Sequence, residues 1–255
     1  MKKTTTTGPI DKPQTAVVDS ARENTSSAGA RRHKALLFQL SVGIMVTAFG
    51  VLTFLVLTFP VFSIDVSITH GLQSITNPIF AGLMTYISWV GFSPQAFIIS
   101  AVSVIFLLMF GYYWEGTAGF LIAVTVPILN LLAKGLIRRS RPSMDLIHIV
   151  NQIKGYSFPS GHVMFYAAFF GFICFLSYTL LKPSWIRTLF LVVFGSHVVL
   201  IGISRIYLGD HWASDVLGAY LLGGLCLVAS IVLYRWGKPR FFPNQPTAAS
   251  KGKQG

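Results

Sequence analysis

The chain has 255 residues, of which 53% are hydrophobic and only 11% charged. A soluble domain carries about 25% charged residues, so the composition excludes an ordinary soluble fold, and the long apolar blocks mark a polytopic membrane protein. The formal net charge of +12 would suggest nucleic acid in a soluble protein; here the basic residues sort by membrane side, and nucleic acid is not an implied partner.

Residues 1–34 are rich in Thr, Ser, Lys and Ala and contain no apolar run. They predict a disordered cytoplasmic tail rather than a signal peptide. The first apolar block, 35–59, is closed by Pro60 and is long enough to cross a bilayer of about 30 Å. Residues 65–76 mix polar and apolar side chains. Residues 77–91 are apolar but short, and predict a short interfacial or re-entrant helix. Further spanning blocks follow at 94–114, 117–136, 161–181, 188–203 and 213–236. Glu115-Gly116 is read as the turn between the second and third, and Lys182-Pro183-Ser184 as the end of the fourth. The expectation is an all-α fold: a polytopic membrane bundle of six transmembrane helices in one domain, 35–236, followed by a basic cytoplasmic tail, 237–255. Cys174 and Cys226 fall inside apolar blocks without metal-ligand spacing and read as small buried hydrophobes.

Orientation follows from the cations. With six spans both termini share a side, and that side collects every Lys and Arg except Lys134, Arg138, Arg139, Arg141, Lys154 and Arg205, leaving 14 of 20. By the positive-inside rule the termini are cytoplasmic. The six exceptions then lie at the outer surface, which suggests that they are used there.

Three polar segments reach that surface. In the first, Lys134 to Pro142, the residues Lys134, Arg138 and Arg141 have the spacing of one helical face; alone this could be a basic helix end snorkelling to the interface. In the second, Pro159-Ser160-Gly161-His162 stands where an apolar helix begins. Unpaired backbone N–H groups and the helix dipole suit an anion there, although an ordinary Ser cap would look the same. In the third, Ser204 to Asp215, His211 and Asp215 are four apart, so the carboxylate can fix the imidazole tautomer or can simply cap the helix. Taken together, two His, an Asp, several cations and a Ser-Gly helix entrance match phosphoryl transfer, in which positioning and charge neutralisation do most of the catalysis. One His can attack phosphorus and the other can protonate the leaving oxygen. No paired carboxylates of suitable spacing are present to hold Mg²⁺.

The series Lys134-(six residues)-Arg141-Pro142, Pro159-Ser160-Gly161-His162 and Ser204-Arg205-(five residues)-His211-(three residues)-Asp215 resembles the three-part signature of the type 2 phosphatidic acid phosphatase superfamily, in order and in spacing. The resemblance covers about residues 35–236. It implies an integral membrane lipid phosphatase that needs no metal or other cofactor. His211 would be the nucleophile that forms a phosphohistidine, Asp215 its orienting acid, and His162 the acid for the leaving group. Lys134, Ser160, the Gly161 amide, Arg141 and Arg205 would bind the phosphate. Arg138 and Arg139 fall outside the signature and are at most secondary contacts. The substrate would be a lipid phosphomonoester or pyrophosphate in the bilayer: phosphatidic acid, phosphatidylglycerol phosphate or undecaprenyl diphosphate. A phosphotransferase of the same superfamily is the alternative, and a non-catalytic anion transporter a remote one. Phosphate release from a lipid phosphate is therefore expected to survive excess EDTA; complete loss on chelation, restored by Mg²⁺, would refute the metal-free reading.

Overall fold

The computed structural model describes residues 12–59 and 61–242. Every regular element among the described residues is a helix, with no strand among them. We number the helices α1 Lys12–Thr58, α2 Ser63–Gln73, α3 Pro78–Val90, α4 Ser93–Met109, α5 Tyr113–Ile137, α6 Gly161–Leu180, α7 Trp185–Tyr207 and α8 Ala213–Phe241. Five of these, α1 and α5 to α8, are long and apolar enough to cross a membrane, and α3 with α4 makes a sixth candidate bent by 63°. All six predicted spans therefore correspond to helices, and the short apolar segment 77–91 is α3.

Three local readings are corrected. Residues 12–34, assigned by composition to a disordered tail, continue α1 as helix; once an apolar span supplies the costly nucleus, each further turn adds at little cost. Residues 1–11 lie outside the described residues, as does the tail from 243; residues 237–241 belong to α8. The turn between the second and third spans is made at Gly111, with φ 77°, and not at Glu115. Glu115 sits instead in the first turn of α5, wholly buried, where Lys238 of α8 pairs with it and the Tyr234 hydroxyl donates to it at 2.7 Å. Finally, residues 63–73, in which no helix was predicted, form α2. This helix positions two polar residues: Asp65 in its first turn and Gln73 at its end. Gln73 clamps the segment between α5 and α6 by donating to the carbonyls of His148 (2.6 Å) and Tyr207 (3.0 Å).

Residues 12–44 and the body from Met45 onward are separate units. Within the body α6 is the central helix. Two thirds of its apolar window is buried, against 11% for α7. It presents Phe165, Tyr166, Phe169, Phe170 and Phe172 to its neighbours, and the turn 166–170 is a π-helix. Apolar side chains such as Ile105, Leu131 and Val199 face outward, as they must where the surrounding solvent is hydrocarbon. His197, the lone His of an apolar span, is packed: Nδ1 lies 2.7 Å from the Val193 carbonyl, and the ring lies against Tyr86, Tyr166 and Phe170. Cys174 and Cys226 are free and half-buried.

Because α6 is one helix from residue 161 to residue 180, the polar segment 138–160 and the turn 181–184 lie at opposite ends of it. Cysteines replacing Asp145 or Lys154 are expected to react with an impermeant thiol reagent on intact cells, and cysteines at 182–187 are not. The reverse pattern would invert the assigned orientation.

Candidate active site

The site is assembled at the end of the body where α5 stops, α6 starts, and α7 hands over to α8. Helix α5 ends because Arg138 adopts left-handed geometry, φ 52°. The common helical face expected for Lys134, Arg138 and Arg141 therefore does not form: Lys134 stays on the helix, while Arg141 approaches from the irregular segment beyond it. Lys134 donates to the Tyr156 carbonyl at 2.7 Å. Arg141 donates to the Asp210 carbonyl at 2.8 Å, and its Nη1 comes within 3.4 Å of His211 Nε2.

Ser160 occupies the N-cap position of α6, but its side chain does not cap the helix. Its hydroxyl is buried and has no partner within the protein, and the same holds for His162 Nε2 and Arg205 Nε. Each signature segment beyond the first thus contributes a buried polar group left open. The turn itself is fixed from α5, where the Asn130 amide donates to the Pro159 carbonyl at 3.0 Å. The His162 ring stands edge-on to Phe92 at 5.1 Å. It fits because residue 91 is glycine: a Cβ there would lie 2.5 Å from His162 Cδ2. Gly209, with φ 72°, likewise admits the His148 carbonyl where a side chain would stand.

His211 is wholly buried just ahead of α8. Asp215 does face it, at 3.5 Å between Oδ2 and Nδ1. A residue the signature does not contain completes this contact: the Ser157 hydroxyl donates to Asp215 Oδ2 and lies 3.2 Å from His211 Nδ1. Asp215 Oδ2 also accepts the Trp212 N–H at 2.9 Å, so one carboxylate both caps the helix and faces the imidazole. Arg205 is ion-paired with Asp210 at 2.8 Å and donates to the Ser88 hydroxyl. Arg139, read from the sequence as secondary, is buried and ion-paired to both Asp215 (2.6 Å) and Asp65 (2.9 Å). Asp65 and Ser88 lie far from the signature segments in the chain, and Ser157, three residues before Ser160, belongs to none of the three.

Burial, reinforced by the cations Arg205, Lys134 and Arg141, holds the His211 imidazole well below its ordinary pKa of 6.5, against the pull of a hydrogen bond to Ser157. These effects favour the neutral ring, and its Nε2 faces the Arg141 guanidinium. Burial also raises the Asp210 carboxyl, opposed by Arg205 and Arg141. Among the described residues no group of three or more His, Cys, Asp or Glu is placed to hold a metal ion.

The depressed His211 value has a consequence for stability. The unfolded chain takes up a proton near pH 6.5 that the folded chain refuses, so this contribution is present above that pH and is lost as pH falls below it. The melting temperature of the purified protein is expected to drop as pH is lowered from 6.5, and His211→Gln is expected to flatten part of that slope. An unchanged slope would refute a buried neutral His211.

Residues 114–239 match the family model described as the PAP2 superfamily. The chain is 35% identical over 164 residues to phosphatidylglycerophosphatase B of Bacillus subtilis, covering 63% of this chain and 78% of that one. It is 28% identical over 136 residues to a lipid A 4'-phosphatase of Bacteroides thetaiotaomicron, covering 48% of this chain and 57% of the relative. Its fold matches the crystal structure of a transmembrane PAP2-type phosphatidylglycerolphosphate phosphatase of Bacillus subtilis with a TM-score of 0.69 at 29% identity, over 78% of this chain and 98% of the other. With the signature residues gathered at one end of a helical membrane bundle, this chain belongs to the PAP2 superfamily.

Proposed function

We propose that the chain is a membrane lipid phosphatase that hydrolyses a lipid phosphomonoester or pyrophosphate through a phosphohistidine on His211. The observation that carries the reading is the set of buried groups without protein partners, Ser160 Oγ, His162 Nε2 and Arg205 Nε, beside a neutral His211 surrounded by cations. A buried polar group left unpaired costs about 1–3 kcal/mol, and the oxygens of a phosphoryl group are acceptors of the kind these three groups lack. In this scheme Lys134, Arg141 and Arg205 neutralise the phosphate oxygens, and Ser160 with the Gly161 amide holds it at the mouth of α6. His211 Nε2 attacks phosphorus while His162 gives its proton to the departing oxygen. In the second step His162 takes a proton from water, which cleaves the P–N bond and releases phosphate. Asp215, with Ser157, holds the Nδ1 side of His211 throughout.

The lipid side of the substrate has a place of matching chemistry. A cavity of about 650 Å³ runs between α4, α5 and α6. Its lining includes Asn130, Gly161 and His162 at the site, and Val104, Ile105 and Phe120 further along α4 and α5. From Asn130 to Phe120 is ten residues of α5, about 15 Å. A leaving group protonated by His162 is thus led directly into apolar surroundings. Phosphatidylglycerol phosphate is the first substrate to test, given the Bacillus subtilis relatives; phosphatidic acid and undecaprenyl diphosphate share the chemistry. We place the termini in the cytoplasm and the site at the outer surface, on the strength of the basic-residue asymmetry. A phosphotransferase would differ in yielding a phosphorylated acceptor instead of free phosphate.

The two His roles separate experimentally. His211→Ala is expected to form no covalent phosphoenzyme with any substrate. His162→Ala should lose about 10²–10⁴-fold with alkyl phosphates, the range that general acid help supplies. That defect should shrink with p-nitrophenyl phosphate, whose leaving anion needs no proton. A trapped phosphohistidine that persists in His211→Ala and disappears in His162→Ala would exchange the two assignments.

A further inference from the structure

Behind the signature residues lies a second, fully buried tier. Arg139 follows the end of α5, and Asp65 is in the first turn of α2. Their side chains are closed off from solvent. The Arg139 fork divides between two carboxylates: Nη1 meets Asp215 Oδ1 at 2.6 Å, and Nη2 meets Asp65 Oδ2 at 2.9 Å. Asp65 in turn accepts the Ser214 N–H at 2.8 Å and the Ser214 hydroxyl at 2.5 Å, while Arg139 Nη1 also reaches that hydroxyl at 2.6 Å. Asp65 therefore grips both Arg139 and the first turn of α8, on which Asp215 stands.

We propose that Asp65 and Arg139 are positioning residues for His211, acting through Asp215. The inference rests on the reading of His211 as the nucleophile. A carboxylate has two oxygens and one soft torsion. Arg139 occupies Oδ1 of Asp215, and this leaves Oδ2 to face Ser157, the Trp212 N–H and His211. The fork thus holds the carboxylate plane from one side, while Ser157 and the Trp212 N–H hold it from the other. The pair also sets a charge balance. Arg139 removes part of the negative field that Asp215 exerts on His211, and Asp65 restores part of it by neutralising Arg139. The other charged groups around His211 are Lys134 on α5, Arg141 in the segment after it, Arg205 on α7, Asp210 in the loop before α8 and, on α6, the titratable His162. None of these touches Asp215 in the way Arg139 does.

This arrangement predicts shifts of opposite sign, which a merely structural role would not give. Loss of the Arg139 charge stabilises the protonated His211, so the acid limb of kcat/KM moves to higher pH. Loss of the Asp65 charge leaves Arg139 uncompensated and moves that limb to lower pH. The experiment is the pH profile of full-length protein in detergent with a short-chain phosphatidic acid, for wild type, Arg139→Gln, Arg139→Lys and Asp65→Asn. Inhibition by inorganic phosphate and the elution profile are recorded alongside. The expected result is a kcat lowered about 10²-fold in Arg139→Gln and in Asp65→Asn, the scale that slight misplacement of a reacting group carries. The acid limbs should move in opposite directions, phosphate inhibition should be little changed, and Arg139→Lys should recover part of the loss. Folded variants that keep the wild-type limb, or that both shift the same way, would overturn the proposal. If Arg139→Gln does not elute as folded protein, the limbs of Asp65→Asn and Arg139→Lys decide: no shift in either overturns it. Wild-type protein that releases no phosphate would instead sink the phosphatase reading itself, so the two failures are distinguishable.

Discussion

The problem this fold solves is how to keep several cations together at the end of an apolar bundle. Arg139 and Arg205 are fully buried, and Lys134 and Arg141 are partly so. Charges taken out of water are costly unless they are paired and hydrogen-bonded. The structure pairs the two buried arginines and leaves the other two turned to the site. Arg205 takes Asp210, and Arg139 takes Asp65 and Asp215. Removing one partner of such a pair costs about 3–5 kcal/mol, because the other is left uncompensated. The ion pairs are thus less a source of net stability than a constraint: α2, α5, α7 and α8 can come together at this end only in the arrangement that satisfies them.

The helix packing serves the same end. Helix α6 supplies the aromatic core, and its first turn is the signature Ser160-Gly161-His162. Rigidity in the core is therefore rigidity in the site. Close contacts at small residues set the depth of the fit: Phe158 packs where a Cβ on Gly218 would stand 2.5 Å away, and His162 where one on Gly91 would. The bend of 63° between α3 and α4 falls at those same residues, 91 and 92. The kink thus delivers Phe92 against His162 and opens the apolar cavity beside α4. At the opposite end of α5 and α8, Glu115, Tyr234 and Lys238 form a second buried polar cluster. This fixes the register of the two helices far from the chemistry.

The sequence alone was enough for the membrane class, the apolar blocks that become the candidate spans, and the three signature segments. Their signals are local: runs of apolar residues, a Pro-Ser-Gly-His turn, and a His and an Asp four apart. His211 and Asp215 are only four positions apart, so their pairing could be read without knowing the fold. The same holds for the short helix 77–91, whose length and apolarity are visible in the chain.

What only the tertiary structure decided is which distant residues finish the site. Asp65 is 150 positions from Asp215, and it reaches Arg139 and Ser214 only because α2 folds against α8. Ser157 looks like loop filler until the turn brings it between Asp215 and His211. Arg139 lies between the signature cations Lys134 and Arg141 in the chain, yet it is buried against Asp65 and Asp215, beyond the point where Arg138 ends α5 in left-handed geometry. Glu115 reads as a polar turn residue, and is instead buried beside a lysine 123 positions away. Hydrophobic periodicity reports which face of a segment avoids water. It does not report the partner of a buried charge, since that choice is made by long-range packing.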